Sequence, residues 1–293
     1  MKRVVGIHEK LPIVETIPLS FQHLTAMFGA TILVPLILGV NPAICLLMNG
    51  IGTLIYSYVT KGGIPAYLGS SFAFISPTIL IITSFGGFSH AQSGFIFFGL
   101  FFILMSYIVK KFGIKWIDVV MPPAVMGAVV AVIGLELAPN AAIQSGLAPA
   151  ATAVGKVVQP YVADPKVIFV ALFTLAVGIF GSVIFRGFAQ VIPILIAVVS
   201  GYILAFIMGM VDTKIIADAN WFSLPKFQAP VFDWSAIFII APACIVVFAE
   251  HISHLIVTGK ITGSNLLVDP GLYRSLLGDG ISNVISCLLY TSD

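Results

Sequence analysis

The sequence predicts an all-α polytopic membrane protein, because apolar residues dominate it and fall into runs of membrane-crossing length. Of its 293 residues, 59% are hydrophobic and 9% are charged, and the mean hydropathy is +1.10. Soluble domains carry about 25% charged residues, so this chain cannot cover a water-facing surface. A net charge of +2 is too small to indicate a nucleic-acid partner. Cys45, Cys244 and Cys287 lie far apart in apolar stretches, fit no metal spacing and read as small buried residues. The opening MKRVVGIHEKLPIVET lacks an apolar stretch ending in a small-residue cleavage site, so the first helix is expected to stay in the membrane as an anchor.

Eight spans are expected, at residues 16–39, 42–60, 64–84, 94–109, 119–139, 167–185, 190–211 and 235–258. Each is near the ~20 residues that a bilayer requires. Basic residues set the orientation. With a cytoplasmic N-terminus, the inside segments hold Lys2, Arg3, Lys10, Lys61, Lys110, Lys111, Lys115, Arg186, Lys260 and Arg274. The outside loops then hold Lys156, Lys166, Lys214 and Lys226, and this asymmetry favours N-in. Trp221 and Trp234 flank the loop between spans seven and eight, where interfacial indoles belong.

The third span is irregular. Its run from Tyr67 to Pro77 (YLGSSFAFISP) sets two serines, aromatics and a proline together. Pro77 removes a backbone donor and disfavours helix just before it. Unwound backbone at membrane depth survives where it is buried in protein or lines a cavity, and transporters use such segments to aim free N–H groups at substrate. A ninth apolar stretch follows Pro270 and carries Arg274 and Asp279 in its first half. Its uncharged remainder, 280–292, would rise only about 20 Å as helix against a core of about 30 Å. The expectation is an incomplete ninth span, hence a fragment of a longer protein.

Within span eight, SAIFIIAPACIVVFAEHISHLIVT, stands Glu250. A carboxylate at bilayer depth costs roughly 2.5–3.5 kcal/mol on insertion scales and marks function by default. His254 lies four residues on, on the same helical face, so the two form a proton-titratable pair. His251 sits about 100° from Glu250 and is expected to pack elsewhere or to bond a neighbour. Asn49 and Thr53 are four apart on span two and read as interhelical hydrogen-bonding groups worth about 0.6 kcal/mol each. Gly127, Gly134, Gly178, Gly181 and Gly201 read as close-packing sites.

Five stretches in order carry a resemblance: TIPLSFQHLTAMFGATILVP (16–35), GGIPAYLGSSFAFISP (62–77), GAVVAVIGLELA (127–138), GSVIFRGF (181–188) and AEHISHLIVT (249–258). With them the chain resembles the uracil permeases of the nucleobase/ascorbate transporter (xanthine/uracil permease) family, which are proton-coupled nucleobase symporters. The resemblance runs from about residue 3 to residue 286. It implies fourteen spans in two inverted seven-helix repeats, with a short strand in each of the broken spans three and ten. It also implies a core domain at 1–112 (spans one to four), a gate domain at 113–234 (spans five to seven), and a return to the core at 235–293 (span eight and the incomplete ninth).

By that resemblance Phe72 lies on the strand of span three, where its backbone N–H binds a uracil carbonyl. Glu250 accepts from a ring N–H, His254 supports it, and Ala30 packs beside the base. Ser71 and Ala73 flank Phe72 in supporting positions. For Gln22 and His23 a hydrogen-bonded histidine between helices is the plain reading, and the family's Gln-His pair favours support beside the substrate. Proton coupling is assigned to Glu250 and His254. Glu250 and Phe72 are expected to face one polar cleft between spans one, three and eight. Uracil is a planar ring of alternating donors and acceptors, so a carboxylate and a free backbone N–H are complementary to it.

No metal or cofactor is implied beyond the proton as coupling ion. The partners implied are uracil or a related nucleobase, a proton and the bacterial cytoplasmic membrane, with room for a homodimer. After Ser286 the sequence departs from the family, which places a second carboxylate on span ten, so the fragment itself is expected to be inactive. Two other readings compete with uracil:proton symport. One is a purine, xanthine or ascorbate carrier of the same family. The other, from a different class, is an intramembrane metal-dependent enzyme, against which Glu-x-x-x-His supplies only two ligands and no His-Glu-x-x-His occurs. A lone midplane carboxylate beside a broken span also favours substrate binding over ion conduction.

Overall fold

The computed structural model describes residues 9, 11–27, 31–32, 34–120, 122–149, 162–214 and 229–289. Its chain forms two compact units. The first gathers Met1–Leu11, Gly29–Leu135 and Pro225–Asp293, and the second Pro12–Phe28 and Glu136–Leu224. All the regular structure among the described residues is helical.

In the first unit a four-residue helix α2 (Val34–Ile37) precedes α3 (Pro42–Val59), which Asn41 caps by accepting from the Ala43 N–H with Pro42 at the first helical position. Residues 65–71 then run without regular structure, and a 3₁₀ turn, Phe72–Phe74, opens α4 (Ile75–Phe85). The broken third span is therefore present, but Phe72 sits on a tight helical turn and not on a strand. The physical reason is local. A strand needs a partner ladder, none of the described segments pairs with 65–71, and Ser71 instead caps the turn by accepting from the Ala73 N–H at 3.3 Å.

Helix α5 (Phe88–Phe112) extends beyond the expected span four at both ends, and α6 (Lys115–Val120) and the start of α7 (Pro123–Gln144) follow. A later pair completes the unit, α10 (Trp234–Thr262) and α11 (Leu272–Leu289), joined through a π turn at Leu267–Gly271. In the second unit lie α1 (Ile13–Ala26), the end of α7, α8 (Pro165–Ile184), a 3₁₀ turn at Gly187–Val191 and α9 (Pro193–Ile207).

Four helices among the described residues are long and apolar enough to cross a membrane: Pro42–Val59, Phe88–Phe112, Pro165–Ile184 and Trp234–Thr262. They match spans two, four, six and eight. Their outward residues are apolar, as Leu54, Leu100, Phe180 and Ile245 illustrate, which is the surface a lipid solvent requires. The helical parts of spans three and seven are shorter, Phe72–Phe85 and Pro193–Ile207.

The core of the first unit is an aromatic file along α5. Phe74 packs edge-on against Phe95 and Phe98, at 5.3 and 4.9 Å between ring centroids. Phe98 meets Phe102 at 4.4 Å, and Phe102 meets Phe248 on α10 at 6.1 Å. Such edge-on pairs add about 0.5–1.5 kcal/mol each beyond the area they bury. At the N-terminal ends of these helices Asp233 caps α10 through the Ser235 N–H (2.8 Å) and meets His90 at 3.1 Å. Lost hydration pushes its carboxyl up, but the Ser235 N–H, His90 and the Ala236 N–H outweigh that and hold it below the ordinary range.

Helix α11 is wedged between α3 and α5 by absent side chains. A Cβ on Gly280 would stand 2.7 Å from the Gly99 carbonyl, and one on Gly278 would stand 3.2 Å from the Tyr56 Cα. The Ser282 hydroxyl, one turn further, lies 2.9 Å from the Gly52 carbonyl and 2.7 Å from the Gly278 carbonyl of its own helix, the small-residue packing that membrane helices use in place of hydrophobic drive. Of the glycines expected to pack closely, Gly178 meets Ala197, Gly201 meets Thr174, and Gly181 lies under Phe185. Gly127 and Gly134 do not pack closely, since a Cβ on either would meet no described atom within 4 Å. Periodicity alone could not separate these cases, because a glycine on a lipid face and one at a crossing look alike in sequence.

The wedge makes a prediction. Gly280→Leu forces backbone apart and should cost at least the 1–3 kcal/mol typical of overpacking, whereas Gly50→Ala, which meets nothing within 4 Å, should leave stability unchanged or raise it by about 0.5–1 kcal/mol. Thermal unfolding in detergent reads both. Equal transitions for Gly280→Leu and the unsubstituted chain would mean that the close crossing is not formed.

Candidate functional site

Polar backbone in an apolar interior must find partners, and residues 65–71 find them on α3 and α10. The Leu68 N–H donates to Thr53 Oγ1 at 3.1 Å, while Asn49 Nδ2 is buried beside the cavity described below without a partner in the structure. Thr53 thus holds the broken segment, not a neighbouring helix as its spacing from Asn49 on α3 had implied. The Ser71 hydroxyl accepts from the Ala73 N–H and donates to Glu250 Oε2 at 3.1 Å. One hydroxyl therefore caps the turn and ties it to the carboxylate of α10. Hydrogen bonds to an ionised acceptor contribute about 1.5–3 kcal/mol, about twice a neutral one.

Ser71, Phe72, Ala73 and Glu250 are all half-buried and lie together. The first N–H that the turn satisfies internally is that of Phe74, which reaches the Ser71 carbonyl at 3.4 Å; Phe72 opens the turn, where N–H groups have no partner within it. His254 is exposed, as is His23 on α1. Ala30 and the side chain of Gln22 lie outside the described residues, as does Trp221.

A cavity of about 190 Å³ opens beside the segment, walled by α2, α3, α5, α10 and α11. Ser70 and Ser71 line it, while Glu250 and Phe72 do not. Ser71 therefore stands between this cavity and Glu250, lining the one and donating to the other. Its polar wall is a stripe on α11, Asp279, Ser282, Asn283 and Ser286, at the spacing of one helix face. A mostly apolar cavity with a few convergent polar groups is the usual form of a small-molecule site.

Of the two histidines of α10, His251 is half-buried and His254 exposed. Its Nδ1 lies 3.1 Å from Asp279 Oδ2 and its Nε2 lies 2.7 Å from Ser275 Oγ. Ser275 in turn lies 2.6 Å from the Tyr56 hydroxyl. The sequence placed His251 away from Glu250 and bonded to a neighbour, which is where it stands. That the neighbour would be Asp279 had no signal in sequence, because helix phase fixes a face and not its partner.

The Permease family profile matches residues 14–292. The chain is 57% identical over 284 residues to the uracil permease of Paenibacillus larvae subsp. larvae, covering 97% of this chain and 66% of that protein. It is 54% identical over 285 residues to the uracil permease of Escherichia coli K12, covering 97% and 64%, and 42% identical over 296 residues to that of Bacillus caldolyticus, covering 98% and 66%. The chain thus spans just under two thirds of the length of these curated relatives. It belongs to the permease family and is a multi-pass membrane protein.

If Ser71 is the link between the broken segment and α10, Ser71→Ala should destabilise the chain by about 1–3 kcal/mol, since Glu250 loses a partner it is half-buried with. Ser71→Thr, which keeps the hydroxyl, should cost less than half as much. Denaturant titration of the purified chain separates them, and an alanine variant as stable as the serine one would remove the link.

Proposed function

We propose that this permease-family chain carries the substrate-contacting residues of a proton-coupled uracil importer of the bacterial cytoplasmic membrane. The observation that carries the reading is the 3.1 Å hydrogen bond from Ser71 to Glu250, which sets a carboxylate beside the opening of a turn that presents a backbone N–H. Uracil needs an acceptor for its ring N–H and a donor for its carbonyl. On this reading Glu250 is the acceptor, the Phe72 N–H the donor, and Ala73 and Ser71 hold the turn. His254 acts with Glu250 in exchanging the proton, and Gln22, His23 and Ala30 complete the surroundings of the base. The relatives' names support uracil as the substrate.

The same reading takes the finer architecture from the resemblance. Eight complete spans and a partial ninth belong to a fourteen-span, two-repeat transporter with a cytoplasmic N-terminus. Spans one to four and eight carry substrate, and spans five to seven act as gate. In that assembly broken spans three and ten each carry a short strand, that of span three at Phe72, and the two meet near the midplane. Alternating access then moves one set of helices against the other around the fixed site.

Glu250→Gln tests the assignment, since an amide can still accept a hydrogen bond but cannot pick up and release a proton. The variant is built into a chimera in which this chain replaces the matched stretch of the Paenibacillus larvae permease. Proteoliposomes with an imposed pH gradient should accumulate radiolabelled uracil when they hold the unsubstituted chimera and not when they hold the Glu250→Gln variant, while uracil binding persists in both. Accumulation by the variant equal to that of the unsubstituted chimera would put the proton elsewhere.

A further inference from the structure

The group to explain is the chain of side chains from Tyr56 through Ser275 and His251 to Asp279. It joins α3, α10 and α11, and its end lies on the cavity wall. Tyr56 and Ser275 are fully buried, and the side chains of His251 and Asp279 are 14% and 16% exposed. Phe102 packs against the imidazole with ring centroids 5.5 Å apart and the two rings nearly perpendicular. Buried polar groups persist when every donor and acceptor is used, and that condition fixes the direction of this chain.

An ionised carboxylate only accepts, so His251 Nδ1 must carry the hydrogen that points at Asp279. A neutral ring then leaves Nε2 as an acceptor, which the Ser275 hydroxyl fills, and Ser275 Oγ accepts from Tyr56. Each donor is spent once. The other tautomer would turn the Nδ1 lone pair on the carboxylate and leave the hydrogen of either Ser275 or Tyr56 to find a new acceptor. Asp279 Oδ2 is thereby committed to His251, while Oδ1 lies 3.4 Å from Asn283 Nδ2 on the cavity stripe. Gly278 and Gly280 on either side admit α11 between α3 and α5, which is what brings Asp279 to this depth.

We propose that His251 is a positioning residue, held as its Nδ1–H tautomer, that fixes the Asp279 carboxylate on the cavity wall as an acceptor for a small neutral ligand bearing N–H groups. The ligand class rests on the nucleobase reading above; the positioning itself does not. On this account Asp279 is a second acidic contact apart from Glu250, and the half-buried His251 of α10 serves it, while His254 lies exposed.

Histidine-¹⁵N spectra of the purified 293-residue chain in lipid nanodiscs test the positioning. The His251 signal is assigned by its loss in His251→Gln. It should show a protonated Nδ1 and an accepting Nε2, keep the Nδ1–H tautomer in Asp279→Asn and in Ser275→Ala, and move to the Nε2–H form in Asp279→Leu. An Nε2–H tautomer in the unsubstituted chain, or an Nδ1–H form that survives Asp279→Leu, overturns the proposal. The ligand is tested with uracil in the chimera. His251→Leu should weaken uracil binding about tenfold, the size expected when a charge-assisted contact is lost. His251→Asn, whose amide can stand in for Nδ1–H, should recover affinity to within about threefold. Equal affinity in the leucine, asparagine and histidine forms overturns the ligand contact. Failure of the unsubstituted chimera to bind uracil would instead remove the nucleobase reading, and the spectra would still decide the positioning.

Discussion

Non-helical backbone inside an apolar protein is the constraint on which this structure turns. Residues 65–71 cannot leave their N–H and C=O groups unpaired without a cost of several kcal/mol each in hydrocarbon. The chain answers with side chains from its neighbours. Thr53 receives the Leu68 N–H, Ser71 closes the turn at Phe72, and Glu250 receives the Ser71 hydroxyl. A charged residue in a spanning helix and a break in another are each unfavourable alone. Together they satisfy one another, and the same pairing leaves a carboxylate and a backbone donor side by side.

The supporting frame follows from what is missing as much as from what is present. Gly52, Gly99, Gly278 and Gly280 allow α11 to lie against α3 and α5 at backbone distance. At that distance α11 turns the face carrying Asp279, Ser282 and Asn283 toward the cavity and toward α10. The aromatic file from Phe74 to Phe248 runs along α5 and ties the turn at Phe72 to α10. Burial, wedge and polar network thus constrain the same few residues from three directions.

Much of this was readable from the chain. Glu250 stands out because a carboxylate interrupts an apolar run, and the break in span three because Pro77 follows two serines and a glycine. Span two matches α3 to within one residue, since Asn41 and Pro42 mark its start. The 3₁₀ turn at Phe72 was not readable. The resemblance implied a strand there, but pairing depends on a neighbour that local sequence does not specify. The place of His251 shows a related limit. Helix phase separates it from Glu250 by about 100°, yet only packing reveals that this second face meets Asp279 and that His254 is exposed. Close-packing glycines divide in the same way, since Gly99 and Gly127 differ in what lies across from them and not in their own neighbours in sequence.

The claim that Ser71 and Glu250 form one energetic unit is tested most directly by a double-mutant cycle. Unfolding free energies are measured for the unsubstituted chain, Ser71→Ala, Glu250→Leu and the double variant in one detergent. A direct bond between them predicts non-additivity of about 0.5–3 kcal/mol, with the second substitution costing less once the first is made. Additivity to within about 0.3–0.5 kcal/mol would contradict it and would separate the broken segment from the carboxylate of α10.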